Sequence, residues 1–507
     1  MALLSAGTLS LQAQKPVMTP ASQEINLQNF WFGSANSAAL AFSPLEDYGD
    51  VLLKYSYGQG DLRHAQQAQS ESAVKAAASG ALRLKGYTLW GDFSYDNIFS
   101  RGSLYNANLY EPSFSMPYYI CDAVLSDWKR QNYDMGFKMA APAMASERLA
   151  LGLEARYSNK VGAKQVDPRA VSYVLSLQLT PSVAYRIGSR SVIGLSLDYR
   201  RYKERTSHST ENYQKDQQVA LMRGLGIYTQ GIVGGNLGFG NMIYSGNRLG
   251  GEAEYSLNAD GADYFVSAGG SYETITVLER PTFPRMRGKT GTIAADLALK
   301  ANFGERRNHR VAVKGDFSRV TGYEYTQELV TSPKREWVTL MVLPMSHYTF
   351  ATAAASYDFY HNLTPGGYDS SLGAEVGFDM MDQSYQLSYF NSMSLDAALR
   401  GARNFCFAGG RALLAKASAG YHLPLKAEYL YSPISEDAGE SIVAGLYPAE
   451  LAYLKTQFID ASLNLTYSLP IAKGRNNLYF RASGRYLRAL NADTDRLNAD
   501  LTVGMMF

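Results

Sequence analysis

The chain has 507 residues, with 48 Lys and Arg against 46 Asp and Glu, a net charge of +2. No basic field is available to hold nucleic acid. Mean hydropathy is −0.21, and past the first dozen residues no apolar run reaches the ~18 residues that a helical membrane span needs, so a helical membrane protein is excluded. The unusual counts are 37 Tyr, 21 Phe and 45 Gly; tyrosine is amphipathic and suits a headgroup boundary.

Residues 1–13, ending Leu11-Gln12-Ala13, read as the apolar part and cleavage site of a secretory signal peptide whose basic leading region is missing. Residues 14–50 read as an N-terminal plug or periplasmic segment. Their apolar, small-residue run Phe30-Trp31-Phe32 through Phe42 lacks strand alternation, so it predicts packing inside a barrel mouth, with Phe30, Trp31, Phe32, Asn36 and Leu40 as the packing residues. The alternative is a segment lying along the periplasmic rim.

From residue 51 to Phe507 the pattern changes to period two. In Leu149-Ala150-Leu151-Gly152-Leu153-Glu154-Ala155-Arg156-Tyr157 the odd positions are apolar, and the even ones carry Glu and Arg. The terminal Leu497 to Phe507 alternates in the same way and ends on an aromatic. One face for lipid and one for water require such a pleat. The segments 51–60, 72–84, 87–99, 131–141, 147–157, 172–186, 191–205, 246–256 and 263–276 open the series. They continue at 290–302, 309–319, 346–359, 370–382, 391–404, 411–423, 455–468, 476–488 and 497–507. The expected fold is all-β: a transmembrane antiparallel up-and-down β-barrel of about 18 strands, with 14 or 16 as alternatives. Gaps alternate between short turns such as Lys85-Gly86 and longer connections at 61–71, 100–130, 158–171, 206–245, 277–289, 320–345, 383–390, 424–454 and 489–496. Within 206–245, Val219 to Leu225 and Tyr228 to Val233 could form an extra hairpin.

Strand parity points Glu154, Arg156, Asp198, Arg200, Asp296, Lys300, Lys314, Asp316, Asp460, Arg481 and Arg485 into the lumen. Mixed signs predict cross-strand ion pairs; a second reading makes Arg200, Arg481 and Arg485 a basic stretch for an anionic solute. In the outer connections, Tyr105, Tyr110, Phe114, Tyr118, Tyr119, Trp128, Tyr323, Tyr325 and Trp337 predict a lid, or a surface for a partner or amphipathic ligand.

Chemistry-bearing motifs are sparse. None of the six histidines has a nucleophile context, so an enzyme is not expected. His64 and His208 could meet in space, but no metal is expected, and no cofactor. Gly231 to Gly240 is glycine-rich without a following Lys-Ser/Thr, which excludes a phosphate loop. Cys121 falls in an outer loop and Cys406 at an inner turn, too far apart to bridge.

Asn36-Ser37-Ala38-Ala39-Leu40-Ala41 resembles the N-terminal hatch of long-chain fatty-acid transporters, which often read Asn-Pro-Ala-Gly-Leu; Ser37 and Ala39 depart from that pattern. The segment from Gly49 to Tyr57, Leu89-Trp90-Gly91-Asp92-Phe93-Ser94-Tyr95-Asp96-Asn97 and a signal ending Gln12-Ala13-Gln14 resemble the large outer-membrane barrels of the Bacteroidota. That resemblance implies a place in the outer membrane of a Gram-negative bacterium and, by association, a companion role in uptake. The expected function is a channel or accessory for uptake of a small or amphipathic solute; the alternatives are a sealed docking barrel in a surface uptake complex and an outer-membrane hydrolase. Expected partners are outer-membrane lipid and lipopolysaccharide, the barrel-assembly machinery through the strand ending at Phe507, and a surface lipoprotein or TonB-dependent receptor.

Overall fold

The computed structural model describes residues 18–109, 115–233, 241–259, 261–279, 284–364, 366–432, 440–471 and 476–507. The signal-like residues 1–13, Tyr110, Phe114 and most of the glycine-rich piece lie outside them. In chain order the strands are β1 (Tyr48–Gly60), β2 (Ser70–Leu84), β3 (Tyr87–Ser103), β4 (Ile120–Cys121), β5 (Ser126–Ala140), β6 (Leu149–Lys164) and β7 (Arg169–Ile187). There follow β8 (Ser191–Ser209), β9 (Gln217–Gly224), β10 (Ile227–Val233), β11 (Asn241–Ala259), β12 (Ala262–Glu279), β13 (Arg285–Phe303) and β14 (Arg307–Val330). The last are β15 (Glu336–His361), β16 (Ser370–Tyr385), β17 (Ser388–Cys406), β18 (Ala412–Leu430), β19 (Phe458–Ile471), β20 (Asn476–Ala489) and β21 (Asp495–Met506), with helices α1 (Pro20–Leu27) and α2 (Glu440–Leu454).

All strands except β4, β9 and β10 form one 18-stranded antiparallel sheet in which each strand pairs with its neighbours in the chain. The sheet closes on itself: β1 pairs with β21, with Val51 opposite Met505 and Tyr55 opposite Leu501. Gly49 and Phe507 exchange backbone hydrogen bonds of 2.8 and 2.9 Å at the seam. Among the described residues, closure leaves no strand edge unpaired across the hydrocarbon, as a membrane span requires.

Alternation sets the faces. Leu195, Leu197, Leu249, Ile293, Leu501 and Val503 stand exposed on the outside. The Leu149-to-Tyr157 stripe points the same way, with Leu151 exposed, since its even-numbered partners meet the lumen: Gly152 lies against the backbone of Ala38. On β7 the outward Leu175, Leu177 and Leu179 lie between exposed Tyr173 and Tyr185. Twelve residues at ~3.3 Å each, tilted by about 40°, put those tyrosines ~30 Å apart along the barrel axis, the height of an apolar band with its girdles. The inner hairpin Lys85-Gly86 has φ of 51° and 84°, the left-handed pair that a two-residue turn between right-twisted strands demands.

Four of the expected outer connections are largely strand. β6 and β7 run to Lys164 and from Arg169, β12 and β13 leave only 280–284 between them, β14 and β15 leave 331–335, and β16 and β17 are joined through Gln386 and Leu387. Above the hydrocarbon both faces meet water, so the apolar–polar contrast that marks a strand fades while its hydrogen-bond ladder continues. Tyr323, Tyr325 and Trp337 accordingly sit on strands β14 and β15, and Trp128 on β5, not in loops. The hairpin foreseen in 206–245 exists as β9 and β10, but it joins β4 in a separate three-stranded sheet.

Candidate functional site: a lumen covered at both ends

At the inner end, Thr19 starts α1 as an N-cap: its hydroxyl accepts from the Ser22 amide, Ser22 Oγ accepts from the Thr19 amide, and Pro20 fills the first helical position. Beyond the helix, Asn29 turns the chain by accepting from the amides of Trp31 and Phe32 and donating to Ser43 O at 2.8 Å. The segment then touches the wall on every side. Asn477 donates to Met18 O, Lys416 pairs with Glu24 at 2.6 Å, and Gln28 donates to Tyr360 Oη. Across the lumen, Trp31 packs edge-on to Phe265 at 5.2 Å, and the amide of Asn36 donates to Glu254 Oε1 at 3.1 Å. Lys138 Nζ donates to Phe32 O at 2.8 Å and Ser34 O at 2.9 Å. Ala38, Ala39 and Leu40 are fully buried against Ala140, Ala150 and Ala184 of the wall. Small wall residues let the backbone approach; Phe30, Phe32 and Phe42 pack around this cluster.

The lumen charges pair along the wall. Glu154 meets Lys138 at 3.2 Å and Arg156 at 2.5 Å, Arg248 meets Asp198 at 2.6 Å, and Arg200 meets Glu273 at 2.7 Å. Arg485 pairs with Asp460, while Arg481 donates to Thr466 Oγ1 and lies over the Tyr479 ring. Asp316 faces Asp296 in register and accepts from Thr352. Lys314 stands opposite Ala298 and Ala354, and Lys300 sits over the Phe265 ring at 5.2 Å. Arg200 on β8 and Arg481 and Arg485 on β20 occupy opposite walls, so these arginines form no single basic stretch. Lys138, Glu254 and Glu24 went unremarked in the sequence, although Lys138 and Glu254 carry the inward parity of their strands.

At the outer end the connections fold inward. β4 pairs with β9 and β9 with β10, and this sheet packs with α2 against inward-facing Tyr348, Tyr385 and Phe390. Its other side covers Met242, Tyr244, Ile275 and Val277 of the wall, with Tyr118 among them. Tyr119 is buried in the first cluster and Tyr105 packs against it; Tyr429 and Tyr447 stack with ring centroids 4.8 Å apart. Trp128 instead points into the lumen from β5 and is buried, while Trp337 stands away from the cap with the Arg285 guanidinium over its ring. Asp122 ties the cap to the wall through Lys164 at 2.6 Å, both side chains buried. Burial pushes the Asp122 carboxyl up, with Lys164 opposing. Burial likewise holds the Cys121 thiol well above its usual range, which keeps it unreactive.

His64 bonds Glu450 and His208 bonds the Ala107 carbonyl, so the two do not meet; among the described residues no cluster of three or more His, Cys, Asp or Glu is placed for a metal. Between the inner segment and the outer cap lie cavities of about 460 and 520 Å3, the first lined by Trp128, Arg130 and Glu450, the second by His422, Asp460 and Arg485.

A closed cylinder with an apolar exterior, a charged interior and chain folded into both mouths defines a membrane-spanning β-barrel with a covered lumen. By sequence, residues 37–507 match the family described as "Family of unknown function (DUF6850)", and the chain belongs to it. A comparison with curated proteins finds no match. Among solved structures the chain is similar to the outer membrane transporter YddB from Escherichia coli, with 8% identity and a TM-score of 0.39 over 90% of this chain and 81% of that one. It is also similar to the ferric yersiniabactin uptake receptor FyuA from Yersinia pestis (9% identity, TM-score 0.37, 90% and 80% covered). A third likeness is to the TodX deltaS2S3 mutant monoaromatic hydrocarbon channel (11% identity, TM-score 0.31, 93% and 92% covered).

Proposed function

We propose that this chain is an outer-membrane uptake channel, or an uptake accessory, of a Gram-negative bacterium, closed at rest by its own N-terminal segment. One observation carries the reading: a charge-lined lumen is crossed by a segment continuous with β1 and held by discrete polar contacts, Lys138 and Glu254 foremost. Residues that only filled space would need no such contacts; discrete hydrogen bonds can be broken and remade by a solute or partner. Planar-bilayer conductance tests it. The intact chain should be closed or conduct little, and deletion of residues 18–46 together with the capping hairpin 217–233 should open it. A folded deletion variant that passes neither ions nor labelled solute would refute the reading. Lipid and lipopolysaccharide would contact the outer belt, and the seam strand ending at Phe507 would engage the assembly machinery.

A second reading, a docking component of a surface complex, is favoured by the β14–β15 hairpin. β16 ends where Tyr385 pairs with Ser346, so among the described residues the outer part of β15 is hydrogen-bonded on one side only. Val338, Leu340, Met341, Val342 and Leu343 are exposed there. Bare apolar edges are ordinarily protected, and they accept an added strand readily. A surface lipoprotein or TonB-dependent receptor offering such a strand is the proposed partner. Replacing Val338, Leu340 and Val342 by Ser should abolish stoichiometric co-purification while conductance is unchanged; retention of the partner would count against this docking site.

A further inference from the structure

On the outside of the barrel, β8 carries a run of charge that takes no part in the lumen. Arg201, Lys203 and Arg205 occupy three successive outward positions, beyond the exposed Leu195, Leu197 and Tyr199. Lys203 and Arg205 are exposed and Arg201 is half-buried. The carboxylate between them in sequence, Glu204, turns inward, where it is fully buried and accepts from the Leu109 amide and Tyr202 Oη. The outward positions beside the three cations are uncharged: Leu177, Leu175 and Tyr173 on β7, and Asn247, Ser245 and Ile243 on β11. Thr274, Thr276 and Leu278 come next on β12. Arg201 is fastened in place, donating to Asn247 Oδ1 at 3.0 Å and Ser245 Oγ at 2.8 Å, while Tyr199 donates to the same Asn247 oxygen at 2.9 Å. Three like charges in line repel one another, and a bound anion offsets that repulsion.

Their place in the membrane selects the anion. Arg201 follows Tyr199 and Arg205 stands opposite Tyr173, both rings exposed, so the run lies between two tyrosines at the headgroup level. At ~3.3 Å per residue and about 40° of tilt, Arg201 and Arg205 are ~10 Å apart along the barrel axis. An ordinary headgroup layer is only ~5–8 Å deep, and a phospholipid has its phosphate at one level. A glycolipid with phosphates on its sugars offers anionic groups at more than one level, and its acyl chains would lie on Leu195 and Leu197. Lysine meets phosphate as a point charge and arginine as a two-pronged donor.

We propose that Arg201, Lys203 and Arg205 form a site for a phosphorylated outer-leaflet glycolipid of the lipid A kind. The site rests on the outer-membrane placement in the reading above, not on conduction through the lumen. Titration of the purified full-length barrel in detergent, followed by native mass spectrometry, tests it with four probes: lipid A, its dephosphorylated form, phosphatidylglycerol and inorganic phosphate. Lipid A should bind most tightly. Lys203→Gln with Arg205→Gln should weaken it roughly 25-fold, about 5-fold for each surface charge removed. Lys203→Arg with Arg205→Lys should retain it, as should Lys54→Gln, which removes a charge from the lumen. Mobility on gels without heating confirms that each variant is folded. Affinity unchanged in the double Gln variant, or lost equally in Lys54→Gln, would overturn the site. Equal binding of dephosphorylated lipid A would overturn phosphate recognition; equal binding of phosphatidylglycerol or inorganic phosphate would overturn the glycolipid. Conductance of the barrel lacking both mouth covers separates this site from the uptake reading. A conducting barrel that binds no lipid A loses the site and keeps the channel; a silent barrel that binds it loses the channel and keeps the site.

Discussion

Lys138→Met removes the most heavily bonded contact between the N-terminal segment and the wall without touching the strand ladder. The methionine fills similar space, but the carbonyls of Phe32 and Ser34 lose donors at 2.8 and 2.9 Å. Glu154, itself buried, keeps only Arg156 of its two cationic partners. Hydrogen bonds from a charged donor contribute ~1.5–3 kcal/mol each, and breaking a buried pair costs ~3–5 kcal/mol; the two figures overlap here, so ~3–5 kcal/mol is the combined loss. No discount for solvent applies, because the Lys138 side chain is only 3% exposed. That loss would raise the undocked population by about two to three and a half orders of magnitude. Two readouts follow it: opening frequency in planar bilayers of a barrel lacking the capping hairpin 217–233, and maleimide labelling of Ser37→Cys, a fully buried position, in a Cys406→Ser background. Lys54→Met is the control, since the half-exposed Lys54–Asp500 pair at 3.1 Å should contribute under ~1 kcal/mol. If Lys138→Met leaves both readouts at wild-type levels, the segment is not held as argued.

A Cβ at Gly152 would sit 2.7 Å from Ala38 Cα, so Gly152→Ala should loosen the segment by ~1–3 kcal/mol of overpacking and raise Ser37→Cys labelling while the barrel stays intact. At the other mouth, Leu446→Ala empties a fully buried position of α2; a loss of ~2–5 kcal/mol should expose 431–457 to protease, whereas exposed Leu340→Ala should stay within ~0.5 kcal/mol of wild type. For Asp167, burial opposes ionisation. The Asn212 and Glu211 amides at 2.9 Å, the Thr210 hydroxyl and Arg169 outweigh it, holding the carboxyl below its usual range. A carboxyl depressed on folding stabilises above its unfolded value of ~3.9, and that contribution is lost as pH falls through the folded value. Protection of the Glu211 and Asn212 amides from exchange should therefore fall only in acid, and Asp167→Asn should remove the dependence; a fall between about pH 5 and 8 would contradict it.

Much of this barrel was legible in the chain. Each of the 18 strands has its alternating segment, because lipid outside and water inside impose opposite demands on successive residues. Parity also placed Glu154, Asp198 and Asp316 on the inner face, one strand position at a time. The outward reach of β14 and β15 was not legible, since above the hydrocarbon the two faces no longer differ.

The sequence by itself determined the membrane-spanning cylinder and which side chains face its axis, both consequences of a local two-residue repeat. Only the tertiary structure decided what covers that axis. Lys138 finds Phe32 and Ser34, and Tyr118 finds Tyr244, through contacts more than a hundred residues apart in the chain. Such pairs form because closing the ring brings distant strands around one narrow lumen, and no local pattern records which segment folds into it.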